Sequence, residues 1–228
     1  MYRLVSRLRI TVLPGAAALL VACATQATHR EALLRPTPAA LSARAPDLFQ
    51  VRFETSAGPM LLTVHRDWAP IGVDRFYYLV RNGFFDGARF FRVDSGFIAQ
   101  FGLNGDPAVI AAWKHRTMPD DPVRVSNRQG TMAYAMTGPG TRTTQIYFNL
   151  VDNPKLDAQG FAPFAEVTSG MAVLPRLYAG YGERAGGGVR AGKQGRIEAG
   201  GNAYLEREFP KLDYIERAVI VSMPGHDR

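Results

Sequence analysis

Two short apolar runs constrain this chain most: Arg89–Val93 (RFFRV) and Phe97–Phe101 (FIAQF), parted by Asp94-Ser95-Gly96. Each is too short for a stable helix, and bulky apolar groups fall on both of its faces. Strands covered on both sides are what a small closed barrel produces, because its interior is packed with side chains. Arg89 opens the first run, but a second permanent cation, Arg92, stands inside it and interrupts the pattern. A core strand would carry Val or Ile there, since an unpaired buried charge is costly. The pattern leaves two readings: a side chain turned to water on a half-buried strand, or a charge kept for a purpose.

The surrounding segments suit a barrel. Leu48–His65 alternates on either side of Ser56-Ala57-Gly58-Pro59 and reads as a hairpin. Val73, Phe76, Tyr77 and Val80 recur at helical spacing, with Asp67 as a cap, Pro70 in the first turn and Asn82-Gly83 as the stop. Leu103–Gln129 is polar and reads as irregular. Gly130–Met136, Thr144–Val151 and Phe161–Val167 read as strands, the first two joined by the Gly/Pro/Thr loop Thr137–Thr143. Ser169–Gly182 reads as a second helix that must begin close to Pro175, a residue that would break a helix interior. A Gly- and Arg-rich stretch over 183–201 reads as an insertion, either a solvated loop or a reshaped rim. Asn202–Leu212 allows one or two helical turns, and Asp213–Val221 reads as a closing strand.

The N-terminus follows the pattern of an export signal. Arg3, Arg7 and Arg9 precede a short apolar stretch, Ile10–Ala22. Residues 1–22 are therefore expected to be a signal peptide. The stretch ends in Leu-Val-Ala-Cys, and Cys23 is the single cysteine of 228 residues. That ending resembles the lipobox of bacterial lipoproteins. It implies lipidation of Cys23, a membrane anchor, and a location in the bacterial envelope, in the periplasm as an outer-membrane lipoprotein; the alternative is a cleavage site with an incidental cysteine. Residues 23–47 show no period and read as a flexible tether, with the folded domain over 48–223. The formal charge of +7 falls once the three leader arginines are removed, to 24 basic against 20 acidic residues. Such mild charge gives no ground for nucleic-acid binding. His29, His65, His115 and His226 lack ligand spacing, and one cysteine makes no disulfide, so no metal or other cofactor is expected.

Several blocks, in order, resemble the cyclophilin-type peptidyl-prolyl cis-trans isomerases. They are Ala69–Val93, Gly96–Gly102, Gly130–Leu150 and Leu156–Leu174, and the resemblance runs from about Leu48 to Val221. It implies a mainly β fold, a closed eight-stranded antiparallel barrel with two capping helices, and an active groove on the outer wall. It also implies catalysis of rotation about X–Pro bonds without a cofactor, acting on proline-containing polypeptides and aiding folding of exported proteins. The alternative is a non-catalytic module that binds proline segments. A monomer is expected.

By that resemblance Arg92 is the catalytic residue. Phe97, Ile98, Tyr147, Leu156 and Phe161 form the proline pocket, although one extra residue near Phe161 leaves core packing as an equal alternative for it. Gln100 and Gln145 hold the substrate carbonyl or orient Arg92. Ala135 and Met136 form a backbone edge for an extended peptide. The chain departs from the family pattern in three places. Phe91 replaces a histidine, Phe101-Gly102-Leu103 replaces Gly-Gly-Asp, and Lys155 stands where some members carry a tryptophan that contacts cyclosporin, which implies weak binding of that drug.

Overall fold

The computed structural model describes residues 26–186 and 194–221. Cys23, the signal segment and part of the 183–201 stretch lie outside the described residues. Eight strands run in chain order: β1 (Leu48–Thr55), β2 (Met60–His65), β3 (Arg92–Val93), β4 (Ile98–Phe101), β5 (Thr131–Tyr134), β6 (Ile146–Asn149), β7 (Pro163–Ser169) and β8 (Ile215–Val221). They form one sheet in the order β3-β4-β6-β5-β7-β2-β1-β8, and every paired neighbour is antiparallel.

The sheet curls until its two ends approach, but the ladder is not continuous from β8 to β3. The seam is a single bridge, Arg89 to Tyr214, flanked by Phe90 N–H to Asp213 O and Ile215 N–H to Ala88 O, both 2.9 Å. A mainly β antiparallel barrel is therefore present, closed by a short seam and not by a full ladder.

Alternation sorts the strand residues into two faces. Phe53, Ala99, Phe101, Met132, Tyr134, Ile146 and Phe148 enter the interior, where Phe101 and Phe148 stack with ring centres 5.5 Å apart. Ile98, Ala133 and Tyr147 point outward with Leu156. Helix α3 (Pro70–Arg81) caps one end of the barrel and buries Gly72, Val73, Phe76, Leu79 and Val80. Its N-cap is Ala69, and Asp67 makes no cap. Instead the buried Asp121 accepts from Ile71 N–H at 2.9 Å and Gly72 N–H at 2.8 Å. A carboxylate distant in sequence serves the free N–H groups that a local cap would otherwise serve.

Four readings of local structure need correction. A helix, α1, covers 26–34 and a short one, α2, covers Pro38–Leu41, so 26–47 is not a free tether. It docks: Leu33 and Ala45 are buried, Trp113 Nε1 donates to Leu33 O at 2.8 Å, and Tyr78 Oη donates to Ala32 O at 2.7 Å. The stretch read as irregular contains α4 (Pro107–Trp113), started by Asp106, whose side chain accepts from Ala108 N–H at 2.8 Å. The second helix does not run from Pro175. Only a 3-10 segment, Met171–Arg176, forms, and it ends at Leu177, whose backbone is extended. Beyond it Tyr178 N–H is taken by Asp213, and Gly182 adopts a positive φ of 53°. The long second helix is α5 (Gly195–Glu208), kinked at Gly201, across the end of the supposed insertion.

Candidate active site

Arg92 is placed by a break in alternation. Phe90 and Val93 both enter the interior, three positions apart, so a regular strand cannot hold both. The slip lies between them, where Phe91 N–H bonds Arg89 O two residues back, at 3.0 Å. Phe91 and Arg92 therefore both leave the interior. Once turned outward, Arg92 joins a row across four strands, because Arg92 pairs with Gln100, Gln100 with Tyr147, and Tyr147 with Ala133.

A cavity of about 860 Å³ lies over this row. Arg92, Phe97, Ile98, Gln100, Ala135, Met136, Gln145, Tyr147, Leu156 and Phe161 all line it, so the structure brings together every proline-site residue expected from sequence. Phe161 meets Tyr147 edge-on, with ring centres 6.0 Å apart, which puts it in the pocket and not in the interior. Lys155 is exposed on the rim.

The apolar end of the cavity is held by a buried polar network. Tyr147 Oη donates to Asn127 Oδ1 at 3.0 Å, and Asn149 Nδ2 donates to the same oxygen at 3.1 Å. Asn127 Nδ2 in turn donates to Asp157 Oδ1 and to Phe161 O, both at 2.8 Å. A single side chain thus ties the Tyr147 floor to the Leu156–Phe161 wall. Asn127 is 0% exposed, and nothing in the sequence around it marked it out. Burial and the Asp157 charge push the Tyr147 hydroxyl well above its ordinary range, so it stays a neutral donor.

At the polar end Arg92 is 6% exposed, so water does not solvate its charge. Nη1 donates to Gln100 Oε1 at 3.2 Å and Nη2 donates to Glu183 Oε1 at 2.6 Å. Nε, also buried, has no partner among the described residues. The guanidinium carbon lies 5.7 Å from the centre of the Phe97 ring. Gln100 Nε2 donates to Gln145 Oε1 at 2.9 Å, and Gln145 and Gln194 bond each other through both amides. Of the two tasks the sequence suggests for the glutamines, orienting Arg92 would use the bond that Gln100 makes to it. The water-facing reading of Arg92 does not hold. Glu183 and Gln194 both lie within the 183–201 stretch read as an insertion, and no sequence signal singled them out.

On the peptide-facing edge, Ala135 N–H is committed to Gln145 O at 2.9 Å, and no hydrogen bond of this kind involves the Met136 backbone among the described residues. An extended chain could add to the sheet there. The arrangement offers an apolar socket, a cationic donor held by two hydrogen bonds and a strand-like edge. Among the described residues no cluster of His, Cys, Asp and Glu could hold a metal.

Residues 50–202 match the family model described as Cyclophilin type peptidyl-prolyl cis-trans isomerase/CLD. Peptidyl-prolyl cis-trans isomerase B of Escherichia coli is 30% identical over 180 residues, spanning 75% of this chain and 99% of that protein. A peptidyl-prolyl cis-trans isomerase of Acinetobacter baylyi is 31% identical over 60% of this chain and 76% of its own length. Among solved structures, a Cryptosporidium parvum cyclophilin type peptidyl-prolyl cis-trans isomerase covers 78% of this chain and 99% of its own, with TM-score 0.54 and 19% identity. Its structure in the presence of the dipeptide Ala-Pro gives TM-score 0.52 and 18% identity, over 76% of this chain and 99% of its own.

Proposed function

Because the chain belongs to the cyclophilin-type peptidyl-prolyl cis-trans isomerase family, it is a peptidyl-prolyl cis-trans isomerase, and we propose that Arg92 is the residue through which it acts. Rotation about an X–Pro bond must cross a barrier of roughly 18–20 kcal/mol set by amide resonance. No bond breaks, so the protein need only favour the twisted amide over the planar one. Twisting removes conjugation from the proline nitrogen and leaves a lone pair that accepts a hydrogen bond. A guanidinium is always protonated and rigid, and each terminal nitrogen carries two N–H groups. One on each is committed to Gln100 or Glu183, which leaves the second on each for substrate. A donor already oriented in a partly dry groove is worth far more than one in water.

The apolar socket of Phe97, Ile98, Tyr147, Leu156 and Phe161 takes the proline ring, and the edge at Ala135 and Met136 takes the flanking backbone. The structure of the Cryptosporidium protein in the presence of the dipeptide Ala-Pro supports proline-containing polypeptides as the ligand class here. The single observation that carries the reading is the buried, hydrogen-bonded Arg92 over an apolar cavity, a feature that a surface holding peptides passively has no use for.

Cellular role follows from the N-terminus. A signal peptide over 1–22 and a lipid on Cys23 would place the isomerase at the bacterial envelope, on the periplasmic side of the outer membrane, aiding the folding of exported proteins. The reaction suits that compartment because it consumes no nucleotide. A monomer is the oligomeric state in this reading; among the described residues Ile71 and Met171 are the exposed large apolar side chains.

Exchange spectroscopy by NMR on an Ala-Pro tetrapeptide tests the catalytic reading. The full chain is expected to accelerate cis-trans exchange well beyond the uncatalysed rate, and Arg92→Ala to lose on the order of 100-fold or more. No acceleration by a folded chain would remove the enzyme reading in favour of a binding module. For the anchor, Cys23→Ser is expected to move the protein from the membrane to the soluble envelope fraction; an unchanged distribution rejects lipidation.

A further inference from the structure

The sequence departs from the family pattern at Phe91 and Leu103, and both residues belong to one secondary apolar cluster. They are buried with Ile110, Ala185, Ile197 and Leu205, and Tyr181 and Phe209 pack against the group. This cluster lies outside the barrel interior. It joins the strand leading to Arg92 to the 181–186 segment and to α5. The two departures therefore build a small core, and that core docks the added segment beside the groove.

Docking brings Glu183 to Arg92. Its carboxylate meets Nη2 at 2.6 Å, in a pair whose side chains are 7% exposed for Arg92 and 38% for Glu183. We infer that Glu183 is a positioning residue for Arg92: it holds the guanidinium plane in its catalytic orientation. The inference rests on the isomerase reading. One bond to the neutral Gln100 leaves the guanidinium free to swing about that contact on a long stem. A second bond from another direction fixes the plane. Glu183 also sets an opposite charge beside the desolvated cation, which the neutral Gln100 does not, and that offsets part of the cost of burying it. Glu183 is half-exposed, and Tyr181 and Ala185 anchor the same segment through the cluster. The apolar anchoring of the segment therefore does not depend on the Glu183 carboxylate alone.

The added segment also reaches the other end of the polar row. Gln194 and Gln145 exchange two hydrogen bonds, of 2.7 and 3.1 Å. The relay from Gln194 through Gln145 and Gln100 to Arg92 and Glu183 is continuous, so the described parts of the segment support Arg92 from both sides.

The test compares full-length wild type, Glu183→Ala, Glu183→Gln and, as a control carboxylate, Glu208→Gln, each checked for folding by circular dichroism. Exchange rates give kcat and KM with a proline tetrapeptide. Glu183→Ala is expected to lower kcat on the order of 10- to 100-fold with little change in KM, as loss of orientation does. Glu183→Gln keeps an oxygen for Nη2 and is expected to recover most of the rate, and Glu208→Gln to match wild type. The Arg92 Nε–H resonance provides an independent readout. It is expected to be that of an immobilised side chain in wild type and Glu183→Gln, and of a mobile one in Glu183→Ala. A Glu183→Ala enzyme as fast as wild type, or a Gln variant as slow as the Ala variant, overturns the inference while leaving the isomerase reading intact. An inactive, folded wild type overturns both.

Discussion

At the scale of single residues, the site depends on side chains whose partners lie far away in sequence. Arg92 faces the cavity only because alternation slips between Phe90 and Val93, and the pattern "RFFRV" shows no slip. Asn127 is the other pivotal residue. Replacing it with Ala leaves the Tyr147 hydroxyl and the Asn149 amide short of an acceptor and frees the Phe161 carbonyl. That change is expected to cost about 2–3 kcal/mol of stability. It should raise KM more than it lowers kcat, because the pocket loosens while Arg92 keeps Gln100; urea melts and exchange kinetics measure both. Asp157 extends the network. Burial would raise its carboxyl, but the bonds from Asn127 and Ser126 outweigh burial and hold it below the ordinary carboxylate range. A carboxylate lowered in the folded state stabilises the fold above its unfolded value, and that contribution disappears as pH falls through the folded value. Stability should therefore fall below about pH 4, and Asp157→Asn should flatten that acid limb in melting curves taken from pH 6 to pH 2.

At the scale of elements, the sheet acts as a register device. The row Arg92–Gln100–Tyr147–Ala133 exists because three antiparallel pairings hold in phase, and a slip of one residue would send Gln100 and Tyr147 into the barrel. The cap of α3 shows how elements are locked together. Asp121 receives Ile71 and Gly72 N–H from the helix and is paired at 3.2 Å with the buried Arg142. Asp121→Asn keeps the shape and removes the charge. It is expected to cost about 2–3 kcal/mol, a melting temperature lower by roughly 4–12 °C for a chain of this size, with kcat nearly unchanged. A melting temperature equal to that of wild type would mean that Asp120 alone satisfies Arg142, with which it makes a 3.0 Å contact. The helix at Ser169–Gly182 fails for an element-level reason as well. Pro175 permits a start, but the glycines that follow and the Asp213 acceptor stabilise an extended exit more than another helical turn.

At the scale of the whole molecule, segments outside the barrel ladder complete it. The 26–47 stretch buries its own Leu33 and Ala45 and supplies acceptors to Trp113 and Tyr78. A chain begun at Pro46 is expected to lose about 2–4 kcal/mol and to melt roughly 5–15 °C lower. It should keep its kcat, because every cavity residue lies at Arg92 or beyond; an unchanged melting temperature would make the docked stretch energetically idle. What could be determined from sequence alone was local or ordered along the chain. The hairpin, the amphipathic face of α3, the barrel class and the motif blocks that collect Arg92, Gln100, Gln145 and the pocket residues were all legible, because period, turn chemistry and motif order are properties of neighbours. The seam at Arg89–Tyr214, the docking of 26–47, the Asn127 pivot and the Glu183–Arg92 contact were decided only by the tertiary structure. Each joins groups from 20 to more than 120 positions apart whose residue types are common at surfaces, so their meeting depends on how the chain closes and leaves no periodic trace in it.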